Sequence, residues 1–277
     1  MNKIREETKM NRYLLAVFMS VFCIAALADC TTIEPFVMED QDIGIVLMHG
    51  KNGTPHGYIA TLAGSLRRAG LQVKTPEMPW SRNRIYAKSY EDSMLEIDKA
   101  VNRLKSKGAT RIVIAGHSLG ANAALGYAAR REGLSGVIVI AAGHFQDLHG
   151  FQKKVGFDWL KAKDMVDSGK GKERASFTDI NQGGKSTRYT TANIYLSWFN
   201  PMGPANFPQN TINIKKGTPL LWITGTNDYF ARMRGSGYAF DLAPENPKNK
   251  YVLIEADHFT TPTKSINVIS EWLRTLR

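Results

Sequence analysis

The sequence predicts an α/β fold: a mostly parallel central sheet with helices on both faces, carrying a lid-like insertion. Three observations lead there. Short, nearly unbroken apolar runs recur along the chain, the mark of strands covered on both faces. Amphipathic stretches at helical spacing lie between them, so strand and helix alternate as in a sheet wrapped by crossover helices. One interval, at about residues 144–217, is far longer than a crossover helix needs and marks an insertion over one end of the sheet. With 43% hydrophobic and 22% charged residues among 277, the composition is that of a globular chain, neither disordered nor fibrous.

Residues 1–28 stand apart from the fold. Lys3, Arg5, Lys9 and Arg12 precede an apolar run, Tyr13 to Ala28, which closes on Ala26, Leu27 and Ala28. Charged start, apolar middle and small residues at the end define a secretory signal peptide cleaved near Ala28, for a secreted or periplasmic protein. An uncleaved membrane anchor and lipidation at Cys30 are the alternatives; the apolar run is short for a membrane span. Cleavage would leave Cys30 as the only one of the two cysteines, so no disulfide could form within the mature chain. It would also remove four cations and two carboxylates, taking the net charge from +11 to +9. That balance favours anionic surfaces such as membranes. No basic run interleaved with aromatics points to nucleic acid.

The mature domain, residues 29–277, opens with room for one short strand, Ile33–Met38. Ile43 to Met48 reads as a buried strand and Tyr58 to Ala69 as a helix with Ile59, Leu62 and Leu66 on one face, stopped by Gly70. Leu71 to Lys74 is a strand. Met94, Ile97, Val101 and Leu104 make Tyr90 to Lys107 an amphipathic helix. The strand Arg111–Ala115 leads into a helix rich in Ala and Gly, and Gly136–Ala142 is the next strand. In the insertion, Phe151–Ser168 reads as helical, Gly169–Lys172 and Gly183-Gly184-Lys185 as a Gly/Lys-rich piece, and Tyr195–Phe199 as aromatic. With Trp159, those aromatic residues suggest an apolar acyl or aromatic pocket under a lid. Pro219–Thr224 and Tyr251–Glu255 are the last strands. Thr261 and Pro262 start one last helix, with Ile266, Ile269 and Leu273 inward.

Gly116-His117-Ser118-Leu119-Gly120 is a G-x-S-x-G sequence set between a strand and a helix, the context a nucleophile elbow requires. Glycines at 116 and 120 keep the tight turn clear, and the turn holds the Ser118 hydroxyl above the sheet. A serine hydroxyl needs a base to become a nucleophile. His258, in the loop after the strand Tyr251–Glu255, lies at the same sheet edge as Ser118 and is the candidate. Asp228, after the strand Pro219–Thr224, is the candidate acid that orients it; Asp147 is second, and Asp257, next to His258 in sequence, reads as a loop carboxylate. No HExxH, paired CxxC or other metal-ligand spacing occurs, so no metal and no cofactor is expected.

The residues Gly116 to Gly120, Gly225-Thr226-Asn227-Asp228, Asp257-His258 and Met48-His49-Gly50, in that triad order of Ser, Asp and His, resemble the α/β-hydrolase superfamily over roughly residues 40–277. The resemblance implies an oxyanion hole in the turn His49-Gly50-Lys51-Asn52-Gly53, formed by the backbone N–H groups of Lys51 and Leu119. His49 is expected to pack or hydrogen-bond within that turn rather than act as a base. The usual sheet of that superfamily has eight strands, so the first hairpin here is expected to be truncated. The function expected is a secreted, esterase- or lipase-like serine hydrolase that cleaves a small-molecule or lipid carboxylic ester through an acyl-enzyme on Ser118. An acyltransferase or thioesterase on the same triad, and a non-catalytic binding protein with the same fold, are the competing expectations.

Overall fold

The computed structural model describes residues 42–229 and 234–276. The leader, Cys30 and the strand expected over Ile33–Met38 lie outside the described residues. From Ile43 the chain alternates strand and helix: β1 (Ile43–Met48), α1 (Ala60–Arg68), β2 (Gln72–Lys74), α2 (Tyr90–Lys105), β3 (Arg111–Ser118), α3 (Leu119–Arg130) and β4 (Gly136–Ala142). The insertion follows as α4 (His149–Lys154), α5 (Asp158–Asp167), the strands β5 (Arg174–Asn181) and β6 (Gly184–Thr191), α6 (Ala192–Phe199) and α7 (Phe207–Ile212). The chain then runs through β7 (Leu220–Gly225), β8 (Lys250–Ile254), α8 (Thr261–Lys264) and α9 (Ile266–Arg274).

Among the described residues the central sheet has six strands in the order β2-β1-β3-β4-β7-β8, with every neighbouring pair parallel. Every residue of β1, β4 and β7 is buried, which is why their sequences are apolar without alternation. Helices α1, α8 and α9 pack together on one face; α2, α3 and α7 cover the other. The Ser89 side chain caps α2 by accepting from the Asp92 N–H. The small residues of α3 allow close packing on α2: a Cβ at Gly126 would fall 1.8 Å from the Tyr90 hydroxyl oxygen. The chain passes from β1 outward to β2 and returns across β1 to β3. This reversal of direction opens a crevice at the carboxyl ends of β1 and β3, where ligands of such sheets bind.

Three expectations change. The single last helix is broken at Ser265, whose side chain donates to the Pro262 carbonyl, so α8 and α9 are separate and α9 buries Ile269, Trp272 and Leu273. The Gly/Lys-rich piece at Gly183 is the tip of an antiparallel hairpin, β5–β6. Its two loop residues, Gln182 (φ 47) and Gly183 (φ 83), take the left-handed conformation that suits a tight hairpin.

The aromatic residues expected to line a pocket are instead packing. Trp198 is fully buried and meets Trp80, Tyr86 and Tyr90 edge-on at 4.8–5.5 Å. Phe177, Tyr195 and Phe199 stack in series at 4.4 and 4.1 Å. Trp159 is partly buried against the same apolar core, which also contains β3, β4 and α2 residues. In α6, Ala192, Tyr195, Trp198 and Phe199 are buried while Asn193 faces outward, so its aromatic face packs into the core.

Candidate active site

Ser118 ends β3 and begins the turn into α3 with φ 56 and ψ −119, a strained conformation for a residue with a side chain. The pairing register of β3 with β4 slips between His117 and Ser118, where the chain leaves the sheet. The elbow closes tightly: a Cβ at Gly116 would lie 2.0 Å from the Gly120 carbonyl oxygen, and one at Gly120 would lie 2.6 Å from that of Met48. Only glycine fits either place. The nucleophile candidate thus stands at the N-terminus of a twelve-residue helix, in its positive potential.

His258 occupies the loop between β8 and α8. Its Nδ1–H donates to Asp228 Oδ2 at 2.7 Å, which leaves Nε2 for a substrate or nucleophile proton. Asp228 sits in the turn after β7, and that turn is laced to the histidine loop. The Thr226 N–H donates to Ile254 O (2.8 Å) and the Asn227 N–H to Ala256 O (2.9 Å). Asp147 lies elsewhere, with both carboxylate oxygens accepting from the Tyr238 hydroxyl at 2.7 and 2.8 Å. Asp257 accepts from the N–H groups of Phe259 and Thr260 and caps its own loop. Of the three carboxylates, Asp228 is the one bonded to His258.

The turn after β1 lies against the elbow: a Cβ at Gly50 would be 2.9 Å from Ser118 Cβ. His49 braces this turn. Its Nδ1–H donates to Gly50 O (2.8 Å) and its Nε2 accepts from the Met78 N–H (3.1 Å), while Trp80 Nε1–H donates to His49 O (2.8 Å). A ring that accepts at Nε2 is neutral there, and burial lowers its pKa to match. His117 Nε2–H donates to the His258 carbonyl at 2.8 Å, tying the elbow to the histidine loop. Burial, with His258 next to it, holds His117 down at about 3. Both of these histidines are occupied within the scaffold.

Four features of the site were not anticipated from the sequence. A Cβ at Gly143, just past β4, would lie 2.5 Å from Ser118 Oγ, so this glycine keeps the hydroxyl clear. Tyr58 and Phe259, 4.7 Å apart between ring centres, flank His117 and His258 and remain 56% and 39% exposed. Asp179 and Arg188 reach the β1 turn from the insertion: Lys51 Nζ donates to Asp179 at 2.6 Å, and Arg188 bonds both Asp179 and Asn52. The tip of the hairpin, Asn181 and Gln182, joins Lys51, Ser118, Tyr58 and His258 around a cavity of about 290 Å³. Only the glycine had a local signal, its place one residue past a strand that neighbours the nucleophile's. The others are pairings across 59–201 residues. Among the described residues no three His, Cys, Asp or Glu side chains converge to hold a metal ion.

A parallel sheet that presents a serine on a strained strand-to-helix elbow, and a carboxylate–histidine pair on the last two strand ends, defines an α/β-hydrolase. The chain matches the family described as serine aminopeptidase, S33, over residues 40–261, and it belongs to that family of hydrolases. No curated protein sequence matches it. Solved structures give the fold at low identity. The monoacylglycerol lipase of Paleococcus ferrophilus is 21% identical, with 84% of this chain and 95% of that one covered and a TM-score of 0.59. A structure of the metagenome-derived lipolytic enzymes LipS and LipT is 19% identical (86% and 94% covered, TM-score 0.59). DcsB, solved in complex with a substrate analogue, is 13% identical (87% and 92%, TM-score 0.63).

Proposed function

We propose that the protein is a serine hydrolase that cleaves carboxylic esters through an acyl-enzyme on Ser118 and works outside the cytoplasm after its leader is removed near Ala28. The observation that supports this reading best is the 2.7 Å bond from His258 Nδ1 to Asp228, next to a serine on a strained elbow. With Nδ1–H fixed on the carboxylate, Nε2 takes the Ser118 proton as Oγ attacks the ester carbonyl carbon. The carbonyl oxygen becomes an oxyanion, received by the N–H groups of Lys51 and Leu119; each such donor contributes about 3 kcal/mol to lowering the barrier. Collapse of the tetrahedral intermediate breaks the ester bond, and the imidazolium gives its proton to the leaving alcohol. Water, deprotonated by the same histidine, then attacks the acyl-enzyme and releases the acid.

The cavity favours small substrates. At about 290 Å³ it lies at the lower end of the range for small-molecule sites, and its walls mix polar groups with Tyr58 and Phe259. Short acyl groups suit it better than long lipid chains. The test is a panel of nitrophenyl esters from acetyl to palmitoyl, with aminoacyl anilides beside them because the family description names an aminopeptidase. The reading expects turnover that peaks at short esters and falls below about a hundredth in Ser118→Ala. Anilide cleavage without ester cleavage would replace the ester by an amide, and turnover that survives in Ser118→Ala would remove the serine.

A further inference from the structure

Lys51, in the turn proposed to form the oxyanion hole, is a buried lysine. Its side chain is only 4% exposed, and its ammonium donates to Asp179 Oδ1 at 2.6 Å and to Ile180 O at 2.8 Å, both on β5 of the insertion. Asp179 is completely buried. Its second oxygen accepts from Arg188 Nε at 3.0 Å, and the other end of that guanidinium donates to Asn52 Oδ1 at 3.1 Å. Two consecutive residues of the turn are therefore fastened to one hairpin. Phe199 and Phe151 stand 5.4 and 5.7 Å from the Lys51 ammonium and close the pair off from water. Burial drives the Lys51 pKa down and the Asp179 carboxylate works against that shift.

A buried ion pair adds little net stability over an apolar pair of the same size. What this one supplies is a fixed distance between the hairpin and the turn. An oxyanion donor works only when it is held in place before the charge develops, and a misplacement of about 1 Å can cost about a hundredfold in rate. We infer that Asp179 and Arg188 are positioning residues for the oxyanion turn, so that the insertion serves as a clamp on the catalytic machinery. The inference rests on the serine-hydrolase reading above and on Lys51 as an oxyanion donor; it adds that the donor's placement is set from the insertion.

The experiment compares wild type, Asp179→Asn, Arg188→Gln and the double variant Lys51→Met/Asp179→Asn in the full chain. The readouts are kcat and KM on the best ester, and Tm. Met at 51 keeps the backbone N–H, and the double variant leaves neither partner of the pair as an unmatched buried charge. The clamp predicts kcat down about 10–100-fold in Asp179→Asn and about 3–10-fold in Arg188→Gln, with KM within about threefold in each. It further predicts that the double variant regains Tm but not kcat. A merely structural pair would return kcat together with Tm, and that result overturns the inference. So does a folded Asp179→Asn with kcat within twofold of wild type. Arg188→Gln leaves the Lys51–Asp179 pair intact and decides the matter if the other variants do not fold: an unchanged kcat there also overturns the inference. Failure of the serine-hydrolase reading looks different, since wild type itself would then be inactive.

Discussion

At the scale of single residues, the site depends on which carboxylate orients the histidine and on how much room the serine has. Asp228→Asn keeps the shape but lets the imidazole adopt the wrong tautomer, and kcat is expected to fall about 10³–10⁴-fold. Asp147→Asn is expected to change kcat by less than about threefold, because Asp147 is engaged by Tyr238 and not by His258. Steady-state kinetics of the two variants checks both, and equal losses would contradict the assignment. Gly143→Ala places a methyl group 2.5 Å from where Ser118 Oγ now sits. The hydroxyl must then move, and kcat is expected to fall at least about a hundredfold with little change in Tm. The elbow and the triad order were legible in the sequence because each lies within a few residues of a strand end. Gly143 also follows a strand end directly but belongs to no motif that marks it, and the Lys51–Asp179 pair joins residues 128 apart, which no local pattern encodes.

At the scale of elements, the insertion is the part where sequence and structure diverge. Its helical stretch Phe151–Ser168, which the structure divides into α4 and α5, and its aromatic residues were readable; α6, α7 and the β5–β6 hairpin were not, the hairpin because most of its residues are polar and only Phe177, Asp179 and Thr190 are buried. The aromatic residues suggested a pocket because an apolar cluster in an insertion can face either a ligand or the core, and composition does not distinguish them. The structure puts Tyr195, Trp198 and Phe199 in the core. Trp198→Ala is therefore expected to destabilise the protein by about 3–5 kcal/mol, measured by denaturant unfolding, while its acyl-length preference stays the same. Phe259→Ala, at the mouth of the site, is expected to do the reverse: shift the preference across the ester panel with little change in stability. A Trp198→Ala variant with altered acyl preference and unaltered stability would return the aromatic cluster to the pocket.

At the scale of the whole molecule, the parallel sheet covered on both faces follows from the alternation of apolar strands and amphipathic helices, which is why the α/β class could be read before any site residue. The same burial that hides the strands sets the response to pH. His117 and His144 are held neutral down to about 3, in both cases chiefly by burial. The unfolded chain protonates these rings near their ordinary value of 6.5, so between 6.5 and about 3 it binds protons that the folded chain excludes. Stability is then fully present above that window and falls as the pH drops through it. Asp147, whose carboxyl is raised by burial, works in the opposite sense. Tm is expected to decline steadily from pH 6.5 to 4, and His144→Gln to flatten the decline; an unaltered slope would contradict it.

The central claim is that Ser118 is an activated nucleophile. Its most direct test is the intact mass of the protein after exposure to a fluorophosphonate, with Ser118→Ala treated in parallel. The account predicts one phosphonyl adduct per chain in wild type and none in the variant. An adduct that persists in Ser118→Ala, or a wild-type chain that stays unlabelled, would contradict it.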